Sequence, residues 1–257
     1  MIILAIGDIV GDAGCEHLRR ILPSLKKKYA VDITLANAEN SAEGNGVTVA
    51  SAQFLFDSGV NVLTTGNHAL RRRQSYDMFN KRDGLIRPAN FHPDAPGEGV
   101  YIYDNCRHRL CVINLQGLVY MQESGVSNPF DCIDKLLAKI DTTCILIDFH
   151  AEATSEKLCM GFHLDGRVSA VVGTHTHVPT ADARILPGGT GYITDLGMCG
   201  GVNSVLGVSV PQALYRLRTG LPTQFSNETQ DIKLSGVVIE IDSATGRCLA
   251  IESIVMV

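Results

Sequence analysis

Residues 1–40 read "MIILAIGDIVGDAGCEHLRRILPSLKKKYAVDITLANAEN", and this stretch indicates the fold class. Two short apolar runs, one at each end, flank an amphipathic segment. One face of that segment carries apolar residues at the spacing i, i+3, i+4, i+7 and i+11 of a helix, namely Leu18, Ile21, Leu22, Leu25 and Tyr29. A strand, a helix and a second strand in this order are typical of layered α/β proteins.

The same alternation continues along the chain. Further strands are predicted at "VNVLTTG", "GVYIYD", "RLCVINLQG", "TCILIDFH", "VSAVVGTH", "ARILPG", "GYITDL", "SGVVIEID" and "CLAIESIVMV". The last two are joined through "SATG" as a predicted hairpin. Helices are predicted near residues 48–58, 71–80, 130–140, 152–161 and 210–218. So many strands predict an α/β fold with two packed mixed β-sheets flanked by helices, in a single domain of residues 1–257.

Composition narrows the class of protein. The 257 residues carry a formal charge of −5, so there is no global basic field to attract nucleic acid, although RNA stays open as a substrate. No stretch approaches the ~20 apolar residues of a membrane span, and the N-terminus lacks the charged region of a signal peptide. The eight cysteines are scattered without a C-x-x-C pair, as in reduced proteins. We therefore expect a cytoplasmic protein without a membrane partner.

Polar residues whose side chains can bind a metal ion lie at the ends of most of the predicted strands in the first two thirds of the chain. In α/β sheets the carboxyl ends of the strands open onto the crevice where ligands bind. An Asp or Asn after a glycine is often only a helix cap or a turn residue. Repetition over five strands instead favours convergence on one site, formed by Asp8, Glu39, Asn40, Asn67, His68, His150, His175 and His177.

The last two of these residues lie in "VVGTHTHVPT", residues 171–180. On a strand, residues i and i+2 share one face with their Cα atoms about 6.5 Å apart. We therefore expect both imidazoles to project from the same face of a strand end and to reach the same small ligand. Packed core histidines are the alternative, but two neutral imidazoles on a dry face would each need a partner.

The chemistry of this donor set favours a two-metal centre. Carboxylates, amide oxygens and imidazoles without cysteine suit Mn, Fe, Co or Zn better than the all-oxygen shell of Ca or Mg. Seven ligands are too many for one tetrahedral zinc ion. They match two ions that share a bridging carboxylate at a separation of about 3.5–4 Å, an arrangement used in phosphoryl transfer.

The series D-x-x…E-N…G-N-H…H…G-T-H-T-H resembles the calcineurin-like metallophosphoesterases, an α-β-β-α sandwich family. The YmdB-like bacterial branch resembles this chain in "IGDIVG", "NAENSAEGNG", "TTGNH" and "VGTHTHVPTAD". The chain departs from the wider pattern in four places, one of which is G-T-H-T-H where the family has G-H-x-H. Val10 stands at the histidine position of D-x-H, Glu39 replaces the bridging Asp, and Ala69 follows G-N-H where an acidic residue is usual.

The resemblance implies a role for each residue. Glu39 would bridge two divalent or mixed-valence ions, with Fe or Mn expected and Zn as an alternative. A bridging hydroxide would attack phosphorus, and His68 would face the substrate as the acid. The implied substrate is a small cyclic phosphodiester, a 2′,3′-cyclic nucleotide, and the implied assembly is a homo-oligomer. One ion would take Asp8, Glu39, Asn40 and His177, and the other Glu39, Asn67, His150 and His175.

Two other functions remain open from the sequence. The first is a single-metal hydrolase of amides or esters that uses only His150, His175 and His177. The second is a metal-stabilised regulatory interaction protein without catalysis. The basic run Arg71 to Arg73 is either a cationic rim for substrate or an exposed helix start, and the glycine-rich "SAEGNGVT" is either a phosphate loop or a turn.

Overall fold

The computed structural model describes residues 1–81, 84–121 and 125–257. In this part of the chain the strands are β1 (Ile2–Val10), β2 (Ile33–Asn40), β3 (Val62–Thr64), β4 (Val100–Asp104), β5 (Arg109–Gln116), β6 (Ile145–His150), β7 (Ala170–Thr174), β8 (Arg184–Ile185), β9 (Gly191–Ile193), β10 (Met198–Gly201), β11 (Ile232–Ile241) and β12 (Cys248–Met256). The helices are α1 (Gly11–Tyr29), α2 (Val49–Asp57), α3 (Tyr76–Asn80), α4 (Pro129–Leu137), α5 (Thr154–His163) and α6 (Val210–Thr219).

The strands form two mixed sheets of six strands each. The order in the first sheet is β12-β11-β10-β1-β2-β3, in which β1, β2 and β3 are parallel and β11 is antiparallel to its neighbours. The order in the second is β4-β5-β6-β7-β9-β8, with a parallel centre and an antiparallel strand at each edge. The predicted pair of mixed sheets is confirmed.

Three apolar layers hold the sheets and helices together. Between the sheets lies a buried layer that includes Ile3, Leu35, Val112, Leu146 and Val172. The outer face of the first sheet packs against α1 and α2 through Leu18, Leu22, Leu25 and Leu55. The outer face of the second packs against α4 and α5 through Ile133, Met160 and Leu164. Because each fully buried side chain of this kind contributes roughly 1.5–3 kcal/mol, these layers fix the α-β-β-α order.

Most predicted elements are confirmed. The helical stripe of the first segment lies in α1, and the helices predicted near 48–58, 130–140, 152–161 and 210–218 correspond to α2, α4, α5 and α6. The terminal hairpin is β11 with β12. The helix predicted at 71–80 is shorter, because a 3-10 turn at Arg73–Ser75 precedes the five residues of α3. No helix in the described part of the chain combines the length and apolar character that a membrane crossing requires.

One strand escaped prediction because its residues are small. β10 reads "MCGG" and lies between β1 and β11, where glycine is a packing requirement. A Cβ atom on Gly201 would lie 2.7 Å from Glu228, and one on Gly7 would lie 2.0 Å from the carbonyl oxygen of Gly197. The predicted strand at "ARILPG" is reduced to the two residues of β8.

Two predictions about strand ends are wrong. Asp8 lies inside β1, which continues to Val10 with irregular pairing to β2 on both sides of Asp8. β7 ends at Thr174, so His175 and His177 lie beyond the strand, with φ of 100° and 64°. Strand alternation therefore does not bring the two imidazoles together. A loop in the left-handed region does, at a conformational cost that other contacts must offset.

Candidate metal centre

Both sheets contribute to the polar site that the sequence predicts. The first sheet supplies Asp8 from β1, two residues at the end of β2, and two that follow β3. The second sheet supplies the last residue of β6 and two from the loop after β7. The site therefore lies where neighbouring strand ends of the two sheets meet, as expected for an α/β crevice. It brings together Asp8, Glu39, Asn40, Asn67, His68, His150, His175 and His177.

A first donor group consists of Glu39, Asn67, His150 and His175. The ligand atoms of Glu39, His150 and His175 all lie within 4.8 Å of one another. Nε2 of His150 is 3.2 Å from Oε1 of Glu39, 3.1 Å from Oδ1 of Asn67 and 3.1 Å from Nδ1 of His175. Four potential ligand atoms thus point into one small volume.

A second donor group consists of Asp8, Asn40 and His177. Nε2 of His177 is 3.7 Å from Oδ1 of Asp8 and 3.1 Å from Nδ2 of Asn40. The same Nδ2 is 3.2 Å from Oε1 of Glu39, so Glu39 lies between the two groups. The amide nitrogen of Asn40 faces His177, and a rotation of 180° about its last torsion would present the oxygen instead.

Outward hydrogen bonds assign the proton on two of the imidazoles. Nδ1 of His150 is 2.9 Å from the hydroxyl of Thr174, which donates its own hydrogen to Asp148 at 2.7 Å. Nδ1 of His177 donates to the carbonyl oxygen of Leu206 at 2.9 Å. Since each partner accepts the N–H, Nε2 of both histidines is the nitrogen that faces inward and can bind a cation when the imidazole is neutral.

His175 follows the same rule with its nitrogens exchanged. Nε2 of His175 is 3.2 Å from Oε2 of Glu152, so Nδ1 is left to face His150. Metal-binding histidines are generally oriented by an outer partner of this kind. No sequence motif marks Glu152, Thr174, Asp148 or Leu206 as such partners, because each contact joins separate parts of the fold.

Two packing features fit the site to divalent cations. Oδ1 of Asp8 is buried and has no hydrogen-bond partner among the described residues. An unsatisfied buried acceptor costs about 1–3 kcal/mol, a cost that a bound cation removes. A Cβ atom on Gly66 would lie 2.2 Å from Cδ2 of His150 and 2.4 Å from Oε2 of Glu39. Only glycine at this position leaves both donors in place.

The electrostatics of the site favour the ligand-competent forms of Glu39 and His175. Burial disfavours the charge of Glu39, but the neighbouring His150 and His68 outweigh it and hold the pKa of Glu39 well below its usual range. Burial and the charge of His150 lower the pKa of His175 to about 3. Burial raises the pKa of Asp8 to about 6. At neutral pH, Glu39 is therefore ionised and His175 is neutral.

His150 differs from the other imidazoles. Burial lowers its pKa, but Glu39 outweighs burial and raises it to about 9. A cation that binds Nε2 must displace this proton, since only a neutral imidazole is a ligand.

A buried ion pair holds the loop that carries His175 and His177. Nζ of Lys157 lies 2.6 Å from Oδ2 of Asp195 and donates to the carbonyl oxygen of Thr174 at 2.9 Å. Oδ2 of Asp195 also accepts the N–H of Thr176 at 3.1 Å. The two charged side chains are only 2% and 1% exposed. The Lys157–Asp195 pair therefore fixes the backbone on both sides of His175.

His68 occupies a different position from the seven other residues. Its Nδ1 lies 3.2 Å from Oδ1 of Asn40 and 3.3 Å from Oε1 of Glu39. The ring is 24% exposed and lines a cavity of about 370 Å³ over the donor groups. Within the described chain its Nε2 has no hydrogen-bond partner, so this nitrogen is free to exchange a proton with a ligand.

Arg72, one residue of the basic run beside His68, has a structural role. The guanidinium of Arg72 donates to the carbonyl oxygen of Asn45 at 2.9 Å and to that of Glu43. These bonds hold a turn in which Gly44, Asn45 and Gly46 all have φ between 69° and 83°. The glycine-rich segment is thus a tight turn anchored by Arg72.

Comparison with known proteins places the chain in a family. A family model described as "YmdB-like protein" matches residues 4–254. A 2′,3′-cyclic-nucleotide 2′-phosphodiesterase of Bacillus subtilis (strain 168) is 45% identical over 259 residues, covering 100% of this chain and 97% of the relative.

Two solved structures agree over the whole chain. A hypothetical protein from Thermus thermophilus matches with a TM-score of 0.93 and 36% identity, covering 100% of this chain and 99% of that one. A novel phosphatase from Mycoplasma pneumoniae has the same score and identity, with coverage of 100% and 93%. The two sheets are those of the metallophosphoesterase fold, and the chain belongs to the YmdB-like family of phosphoesterase enzymes.

Proposed function

We propose that the chain is a two-metal phosphodiesterase that opens 2′,3′-cyclic nucleotides to nucleoside monophosphates. The observation that carries this proposal is the position of Glu39 between the two donor groups. The Bacillus relative, named for 2′,3′-cyclic nucleotides, supports the choice of substrate.

The proposed cofactors are two divalent or mixed-valence ions, Fe or Mn, with Zn as the alternative. One would be held by Asp8, Glu39, Asn40 and His177, and the other by Glu39, Asn67, His150 and His175. Mixed oxygen and nitrogen donors without thiolate suit these metals. When bound, such ions neutralise charge at the phosphoryl group and make water a stronger nucleophile at neutral pH.

His68 is the proposed acid of the reaction. When water attacks phosphorus, the bond from phosphorus to one ribose oxygen breaks, and that oxygen needs a proton. His68 lines the cavity with an unpartnered Nε2 among the described residues, while its Nδ1 lies 3.3 Å from Oε1 of Glu39. The contact of Nδ1 with Glu39 orients the ring, and Nε2 is the nitrogen that we propose donates the proton to the leaving oxygen.

A substrate panel tests the proposal. The Mn²⁺- or Fe²⁺-loaded enzyme is assayed on 2′,3′-cyclic nucleotides beside 3′,5′-cyclic nucleotides, phosphomonoesters and single-stranded RNA, with and without EDTA. We expect EDTA-sensitive activity with a clear preference for the 2′,3′-cyclic substrates. Preference for another phosphate substrate would reject the assignment of 2′,3′-cyclic nucleotides as the substrate. One ion per chain together with amide or ester hydrolysis would reject the two-metal mechanism.

The assembly and location are also proposals. β12 is an edge strand of the first sheet, and Leu214, Leu217 and Leu221 in and after α6 are exposed by 52%, 80% and 51%. Copies of the chain that pair through such surfaces would remove them from water. We expect light scattering to show a homo-oligomer, and a monomer at high concentration would contradict this. All eight cysteines have free thiols, which supports a cytoplasmic location.

A further inference from the structure

The cavity over the donor groups has a second kind of lining that metal binding does not use. Beside Glu39, His68, His175 and His177, it is lined by the apolar side chains of Leu206, Val208 and Phe225 and by the amides of Asn45 and Asn227. Phe225 is 43% exposed, although an aromatic ring gains most from full burial. Packing alone gives no reason to place this ring at the mouth of a polar site.

A short β-bridge holds the apolar residues of the cavity lining beside the proposed metal centre. Val208 pairs with Asn227, and the N–H of Ser209 donates to the carbonyl oxygen of Ser226 at 3.0 Å. The same segment contains the carbonyl of Leu206 that orients His177. Phe225 is therefore held close to the proposed phosphate site by the chain that also orients one of its donors.

The ring and the amides are available to a ligand. The guanidinium of Arg216 lies over the Phe225 ring at 5.9 Å from its centroid, and the partly exposed ring lines the cavity. Within the described residues, the side-chain amides of Asn45 and Asn227 have no hydrogen-bond partner. Arg72 holds the backbone of Asn45 in place, so its amide is presented from a fixed turn.

We propose that this lining is a nucleobase subsite, in which Phe225 stacks on the base and Asn45 and Asn227 bond to its polar edge. The inference rests on the proposed function for the phosphate end of the ligand. A nucleotide has this composition, with a phosphate at one end and a flat ring with a hydrogen-bonding edge at the other. The volume of about 370 Å³ falls in the usual range for a small-molecule site.

The test compares a substrate that has a base with one that does not. Wild type and Phe225→Ala are assayed on 2′,3′-cyclic AMP and on ribose 2′,3′-cyclic phosphate, which keeps the strained ring. We expect the ratio of kcat/KM between the two substrates to fall roughly 5- to 150-fold in Phe225→Ala, the range for loss of one base–aromatic stack. The loss should be mainly in KM, and Phe225→Trp should restore the ratio.

Phe162 provides a matched control. It is 55% exposed, lies near the end of α5 outside the cavity, and has the guanidinium of Arg184 over its ring at 6.0 Å. Phe162→Ala removes the same groups from the surface, and we expect it to leave the substrate ratio unchanged.

Other outcomes overturn the inference. An equal loss on both substrates would show that Phe225 only supports Leu206 and His177, and an unchanged ratio would show that the base is bound elsewhere. Calorimetry with adenosine 3′-monophosphate separates this proposal from the proposed function. If wild type hydrolyses neither cyclic substrate, the proposed function fails, while weaker binding by Phe225→Ala than by Phe162→Ala still supports the subsite and equal binding rejects it.

Discussion

The buried Lys157–Asp195 pair gives the sharpest prediction about how the fold supports the proposed metal centre. Asp195→Asn keeps the shape of the side chain and an oxygen for the N–H of Gly197, which Oδ1 accepts at 2.8 Å. The other terminal atom becomes an NH₂ group. This NH₂ group faces two donors, Nζ of Lys157 and the N–H of Thr176. In the wild type, Oδ2 of Asp195 accepts a hydrogen bond from each of them.

The expected loss of stability follows from burial. Both side chains are almost fully buried, and removal of one partner from a buried ion pair costs about 3–5 kcal/mol. For a domain of this size, 1 kcal/mol shifts the melting temperature by about 2–4 °C. We therefore expect a decrease of roughly 6–20 °C in Tm, measured by calorimetry.

The variant should also weaken metal binding, because His175 lies between the two backbone positions that the pair holds and His177 follows them. Loss of an orienting contact around metal ligands typically costs about 10- to 100-fold in affinity. Mn²⁺ titration of the metal-free protein, followed by electron paramagnetic resonance, measures this without reference to turnover. The double variant Lys157→Met/Asp195→Asn should recover part of the lost stability, since it leaves no unpaired charge.

Asp134→Asn is the matched control. Asp134 accepts a hydrogen bond from Arg167 at 2.7 Å, but the two side chains are 47% and 39% exposed. An exposed pair of this kind contributes about 0–1 kcal/mol, so we expect almost no change in Tm or metal affinity. If Asp195→Asn melted and bound Mn²⁺ like Asp134→Asn, the argument that the buried pair positions the histidine loop would be wrong.

Three further variants test the proposed roles in the centre. Glu39→Gln should lose metal and activity together, because the two ions would repel each other without the bridging charge; full metal content and normal turnover would reject the bridge. His68→Ala should keep its metal by elemental analysis and lose roughly 10²- to 10⁴-fold in kcat, whereas loss of metal would make His68 a ligand. Gly66→Ala should lose metal affinity, because its Cβ would lie within 2.4 Å of His150 and Glu39, and unchanged affinity would show that the centre tolerates displacement.

The sequence predicts local elements well, because hydrophobic periodicity is itself local. The stripe from Leu18 to Tyr29 defines α1, and alternating apolar runs define most strands. β10 is the exception, since "MCGG" carries no apolar pattern and is a strand only through its pairing with β1 and β11.

The site also has features that the sequence predicts and features that it does not. The polar residues of the site are predicted from their positions at strand ends. The strand geometry expected for His175 and His177 is wrong, because both residues lie in a loop with left-handed backbone conformation. The residues that orient the histidines, including Thr174 and Glu152, could not be found from the sequence. Their role depends on contacts between distant segments.

The central claim is that two metal ions lie on either side of Glu39. Its most direct test is a crystal structure of the Mn²⁺-loaded protein with an anomalous difference map. We predict two peaks about 3.5–4 Å apart, one beside Asp8 and His177 and the other beside His150 and His175. A single peak at full occupancy, or two peaks without Glu39 between them, would contradict the account.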